Sequence, residues 1–103
     1  MQTIYSQEQV KETVYITKLI GDSSNLLILF ELMNFGEKSF NELKRMTAIN
    51  PVTLSKKLTG LRKEGYVSSK YCGIENHYYV TKKADSLRPL IKNIENIVLN
   101  VKE

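Results

Sequence analysis

Residues 37–67 read EKSFNELKRMTAINPVTLSKKLTGLRKEGYV, and two helix starts and one helix stop lie inside them. At the first start Ser39 precedes Glu42 by three positions, the spacing of a capping box. The serine oxygen accepts from the Glu42 amide, and the Glu42 carboxylate accepts from the Ser39 amide. A short helix over residues 39–46 follows. At the second start Asn50 caps through its side-chain oxygen, and Pro51 lacks the amide that a first helical position leaves unpaired. The helix it opens, over residues 51–64, carries Leu54, Leu58 and Leu61 on one face, and Gly65 supplies the left-handed residue that ends it. Ile49 in the turn and Val67 beyond the end complete a compact apolar set. Two capped helices joined by so short a turn must pack on each other, which is a helix-turn-helix.

Beyond Gly65 the period changes. Residues 66–72 and 77–81 are β-prone stretches separated by Gly73, Ile74, Glu75 and Asn76, a hairpin tip. A hairpin directly after a recognition helix is a wing, here spanning residues 66–81. Thr81 then caps a last helix over residues 82–101, with Leu87, Leu90, Ile91, Ile94, Ile97, Val98 and Val101 in an unbroken stripe. Pro89 falls early enough in it to be tolerated with a slight bend.

Upstream of the opening stretch, residues 7–20 mix Val10, Val14, Ile16, Leu19 and Ile20 with charged residues, as an amphipathic helix does. Gly21 breaks it, and Asp22 or one of Ser23 and Ser24 caps the next helix. Residues 23–35 are apolar on nearly every side and read as the central core helix, closed by Gly36. The fold class is therefore mainly α with a small β-hairpin: a winged helix-turn-helix with an additional helix at each end, one domain over residues 1–103. A core this small does not need the full stripe of the last helix. Burying Leu90, Ile91, Ile94, Ile97, Val98 and Val101, with Val10 and Val14 alongside, against a second copy gives a twofold homodimer. The competing reading packs the stripe on its own domain.

The composition removes several function classes. With 42% hydrophobic and 25% charged residues the chain is an ordinary folded one. It lacks an apolar run near the roughly 18 residues of a membrane span. Its first residues are neither basic nor apolar enough for a signal peptide, so a cytoplasmic location without membrane association is expected. Cys72 is the single cysteine and His77 the single histidine. With no second cysteine or histidine in the sequence, no metal ligand set is expected, and Cys72 reads as an inert thiol, with redox sensing or an intersubunit bridge as the lesser alternatives. No phosphate-cradling glycine loop and no nucleophile with a base is present. No catalytic residue, no cofactor and no enzymatic activity are expected.

The charge is uneven. Residues 1–37 hold two lysines against five carboxylates; residues 38–70 hold eight basic side chains against two acidic ones; the remainder holds five against four. The excess of the net +4 thus sits on the helix-turn-helix and the start of the wing. A lysine run is usually only a solvated face, but its coincidence with this motif favours a phosphate-binding surface.

Four pieces of the sequence, between about residues 19 and 94, resemble the HxlR-type (MarR-like) winged-helix transcriptional regulators. They are Leu27, Ile28, Leu29 and Leu32 followed by Gly36; Ser39-Phe40-Asn41-Glu42-Leu43, similar to the family's R-F-x-E-L; Ile49 with Leu54, Leu58, Leu61 and Gly65; and Tyr78-Tyr79-Val80-Thr81 with Leu87 and Pro89, similar to its Y-x-L-T…L-x-P. The resemblance implies a DNA-binding homodimer. Two family features are missing: the G-G-K-W stretch before the core helix, where Gly21 to Asn25 stand and no tryptophan occurs, and the sensing cysteine near the N-terminus. Redox sensing by that cysteine therefore does not carry over.

A recognition helix presents to the major groove the side opposite its buried leucines. Stepping roughly 100° per residue, that side holds Val52, Lys56, Thr59, Gly60 and Lys63, with Thr53 and Ser55 on its flanks. Val52, Thr53 and Lys56 are the expected base readers, through methyl contact with thymine and donation to guanine. Gly60 reads equally as a point of close DNA backbone approach or of tight helix packing. Phosphate contacts are expected from Lys38 and Ser39 at a helix start, from Lys57 and Lys63, and from Ser69 and Lys70 in the wing. The function expected is sequence-specific binding of an inverted-repeat operator on double-stranded DNA, with the wing on the backbone or minor groove. Repression is favoured because so small a domain has little surface left for recruiting polymerase. The alternatives are a winged helix that docks to the transcription machinery and a ligand-sensing MarR-like regulator, although no convergent polar set marks a small-molecule effector pocket.

Overall fold

The computed structural model describes residues 5–101, with the side chain of Val101 outside the description, so that the interface expectation at Val101 lies outside the described side chains. The element order is α1 (Gln7–Gly21), α2 (Ser23–Phe35), β1 (Lys38–Ser39), α3 (Phe40–Thr47), α4 (Pro51–Lys63), β2 (Val67–Cys72), β3 (Glu75–Val80), α5 (Lys82–Asp85) and α6 (Arg88–Val101). This is a winged helix-turn-helix.

Local chemistry starts and stops these helices. Ser6 and Gln9 form a capping box on α1, and the Asp22 carboxylate accepts from the Asn25 amide to cap α2. Ser39 and Glu42 form the box on α3 (3.0 and 3.1 Å). The Asn50 side-chain oxygen accepts from the Val52 amide at 2.9 Å at the start of α4. At the far end of α4, Gly65 has φ +83°, its amide donates to the Arg62 carbonyl, and the Tyr66 amide donates to the Leu61 carbonyl. That pair of bonds is a Schellman closure, with buried Tyr66 beside buried Leu61 as its apolar contact. The turn between α3 and α4 contains Ala48 at φ +58°, an unusual conformation for a residue with a Cβ. Its amide donates to the Lys44 carbonyl, closing α3.

The core gathers Leu19 of α1, Ile28, Leu29 and Leu32 of α2, Leu43 of α3, Ile49 of the turn, Leu54, Leu58 and Leu61 of α4, Tyr66, Val67, Ala84, Leu87 and Ile91. The central helix α2 packs against α1, α3, α4 and β3, yet it is not buried all round: Leu27 and Phe35 are exposed. Tyr15 of α1 reaches the end of α4, and burial together with a hydrogen bond to the Glu64 carboxylate pushes its phenol up to about 12.

Three features depart from the expected architecture. The wing is a three-stranded antiparallel sheet in the order β1-β3-β2, because the extended chain between Gly36 and the α3 capping box pairs with the outer edge of β3 (Lys38 with Tyr78, Ser39 with His77). The hairpin tip is the two residues Gly73 and Ile74, with Cys72 already paired to Glu75. The last helix is two helices, α5 and α6, separated by Ser86 and Leu87. Pro89 has no amide to give the Asp85 carbonyl, and its ring disfavours helical backbone in the residue before it. The proline therefore sits at the start of a new helix instead of bending a continuous one. Arg88 anchors that start, donating to the Met33 carbonyl at 3.1 Å and to Asp85 at 2.8 Å.

The break divides the apolar stripe. Leu87 and Ile91 are buried in the chain's own core, so Ile91, expected at an interface, is a core residue. Leu90, Ile97 and Val98 are exposed, Ile94 is half-buried, and Val10 and Val14 of α1 are exposed. Leu99, outside the expected stripe, is exposed as well.

Candidate nucleic-acid interface

Leu54, Leu58 and Leu61 hold α4 on the core and turn Val52, Ser55, Lys56, Thr59, Gly60 and Lys63 to solvent, with Thr53 half-buried at the flank. Val52 is 63% exposed, a large fraction for a branched apolar side chain and one that leaves its methyls free for contact. Lys56 and Lys63 have no hydrogen bond or ion pair among the described residues, so their ammonium groups are uncommitted. Thr59 donates its hydroxyl proton to the Ser55 carbonyl at 2.9 Å, leaving the oxygen as an acceptor. A Cβ added at Gly60 would meet nothing within 4 Å. Within this chain, tight packing against another helix therefore does not account for the glycine.

Four of the expected phosphate contacts are engaged inside the molecule. Lys57 binds the Asp22 carboxylate at 2.7 Å, pinning α4 to the N-terminus of α2, and this hydrogen bond, with the Asn25 amide, holds the Asp22 carboxyl below the usual range. Lys38 donates to the Phe35 carbonyl at 2.8 Å and covers the C-terminal end of α2, where a cation is favoured. Ser39 is buried, and both its hydroxyl and its amide are used by the capping box. The Glu42 carboxylate closes the N-terminus of α3 and is itself held below its ordinary value, chiefly by the Ser39 amide. An anion has no place there. Lys70 binds Glu37 at 3.0 Å but is more than half exposed, so that its ammonium still faces water on one side. Ser69 is half-buried on β2, in register with Tyr78.

A groove beside α4 adds residues not expected from sequence. Thr59, Arg62 and Lys63 of α4 and Val67 and Ser68 of the wing line it. Arg62 and Ser68 belong to different elements, and only the charge run around Arg62 hinted at its place here. The wing tip projects Tyr71 and Ile74, the latter 91% exposed.

The model of the HxlR-like helix-turn-helix family matches residues 19–103. The chain belongs to this family. The HxlR-like match begins at the end of α1 and takes in both helices of the helix-turn-helix, the wing and α6. No curated protein sequence matches the chain. Among solved structures, the AntR antimony-specific transcriptional repressor is similar over 98% of this chain and 89% of its own, with a TM-score of 0.84 and 16% identity. The redox regulator HypR in its reduced form is similar over 89% of this chain and 94% of its own (TM-score 0.80, 20% identity). The transcriptional repressor BigR from Xylella fastidiosa is similar over 88% and 90% (TM-score 0.77, 24% identity). At these identities the likeness supports the winged fold of this HxlR-like chain. No helix among the described residues is long and apolar enough to cross a membrane.

Proposed function

We propose that this chain is a sequence-specific regulator of transcription that binds double-stranded DNA as a homodimer and represses. The observation that carries the reading is the solvent face of α4, where Val52, Ser55, Lys56 and Thr59 are exposed on a helix whose opposite face is locked into the core. Methyl-bearing and donor side chains on one exposed turn suit the major groove, whose edge offers thymine methyls and guanine acceptors. Lys63, Arg62 and the outer side of Lys70 supply the cations that follow a phosphate backbone. Lys57 holds the reading helix on Asp22, while Lys38 covers the end of α2 and Ser39 caps α3.

The exposed apolar residues of α1 and α6 (Val10, Val14, Leu90, Ile97 and Val98) form the dimer surface in this reading. Membership of the HxlR-like family supports it, as do two structural neighbours described as repressors. The test is binding to mixed-sequence duplex DNA across a salt series. Neutralising several phosphates predicts a steep loss of affinity with salt, on the order of 10³-fold between about 50 and 200 mM. No binding at low salt would contradict this reading and favour the alternative of a winged helix that docks to the transcription machinery.

A further inference from the structure

The wing register collects a set of side chains that DNA binding does not use. In β2 and β3, Lys70 pairs with His77 and Cys72 pairs with Glu75. Side chains two residues apart on a strand point to one face, so Cys72, Glu75 and His77 share a face of the sheet. On the opposite edge of β3, Ser39 is the partner of His77, and Glu37, two residues before it, reaches the same face. The single cysteine and single histidine of the chain, five positions apart in sequence, are thereby brought together with a carboxylate. The ligand atoms of Glu37, Cys72 and His77 all lie within 4.8 Å of one another.

We infer that Glu37, Cys72 and His77 form a binding site for a borderline-soft divalent cation of the zinc class. Thiolate and imidazole select such ions over magnesium or calcium, which take oxygen ligands. A tetrahedral ion with bonds of about 2.0 to 2.3 Å holds its ligand atoms roughly 3.3 to 3.8 Å apart, so side-chain rotation alone closes the set. Three protein ligands leave the fourth position to water.

An independent feature is the arrangement around the imidazole. His77 Nδ1 faces Glu37 Oε2 at 3.1 Å, and Nε2 faces Glu75 Oε1 at 3.5 Å. With Nδ1 on the ion, Nε2–H donates to Glu75, the carboxylate–histidine–metal relay that orients a ligating histidine. Lys70 holds the other oxygen of Glu37 at 3.0 Å and leaves Oε2 directed at the site. Cys72 is exposed, so an ion has a path of entry. Bound there, the ion ties the wing to the segment that opens α3.

The test uses the full chain, kept reduced and titrated with cobalt(II) in the absence of DNA, so its outcome is independent of the proposed DNA function. One equivalent should produce a thiolate-to-cobalt charge-transfer band that zinc removes. Cys72→Ser should abolish the band, while His77→Gln and Glu37→Gln each weaken binding at least ten-fold. Glu75→Gln should keep the band and lose about ten-fold in affinity, as expected of an outer carboxylate. Circular dichroism of each variant, unchanged from the parent, excludes unfolding as the cause. Absence of the band at one equivalent, or wild-type affinity in both His77→Gln and Glu37→Gln, would overturn the site.

Discussion

Lysine is the residue on which the interface turns, because the basic stretch contains side chains in quite different states. Lys57 is half-buried on Asp22 and Lys38 is folded onto a helix end, whereas Lys56 and Lys63 extend from α4 without a partner among the described residues. The first pair serves the fold and the second pair is available to a ligand. The two roles predict different mutational behaviour. Lys56→Ala should weaken binding to the preferred site by about 1–3 kcal/mol and relax the preference at one base position. Lys70→Ala should weaken all sequences alike and reduce the slope of log K against log salt by about 1. Binding isotherms on matched and single-substituted duplexes separate them, and equal sequence-blind losses would remove Lys56 from the base-reading set. This distinction was not legible in the sequence. Capping by Ser39 and Asn50 acts over three residues and could be read directly, but the partners of Lys57 and Lys70 lie 35 and 33 positions away. Only the folded chain brings Asp22 and Glu37 to them. The meeting of Cys72 with His77 and Glu37 is a smaller case of the same limit, since it depends on a hairpin register and on a third strand.

Among the elements, α4 was legible from end to end because each of its determinants is local: the Asn50 cap, Pro51, the leucine spacing and Gly65. Its stability should be sensitive to the cap. Asn50→Ala is expected to cost about 1 kcal/mol and to lower Tm by roughly 4–8 °C for a domain of this size. Thermal melts by circular dichroism measure it, and an unchanged Tm would mean that the cap is dispensable in the packed helix. Two elements depart from the sequence signal for identifiable reasons. The strand β1 has only two residues and carries no periodic signal; it exists because the edge of β3 offers unpaired backbone groups to the extended segment before α3. The apolar spacing of residues 82–101 runs through Pro89 and so suggests one continuous helix. The missing proline amide and the restriction on Arg88 outweigh that spacing, and the chain turns at Ser86 and Leu87 before α6 begins.

In the whole molecule, the exposed parts of α1 and α6 are the surface left unexplained by the core. Leu90, Ile97, Val98 and Leu99 are all more than 40% exposed, as are Val10 and Val14. Apolar side chains concentrated on two terminal helices mark an interaction surface better than scattered ones do. The proposed homodimer buries them against a second copy, and a twofold axis between the copies would present both α4 helices to one duplex. Ile97→Glu puts a charge into that surface without touching the core. Light scattering should then give a monomer mass where the parent gives a dimer, and operator affinity should fall on the order of 100-fold or more, because two linked contacts become one. A parent protein that is already monomeric would contradict the paired arrangement.

Selecting bound sequences from a random duplex pool decides whether α4 reads duplex DNA in pairs. A paired reader should enrich an inverted repeat whose half-sites are centred about one helical turn, roughly 34–36 Å, apart. Failure to enrich any sequence from the pool, or enrichment of a single half-site without symmetry, would contradict it.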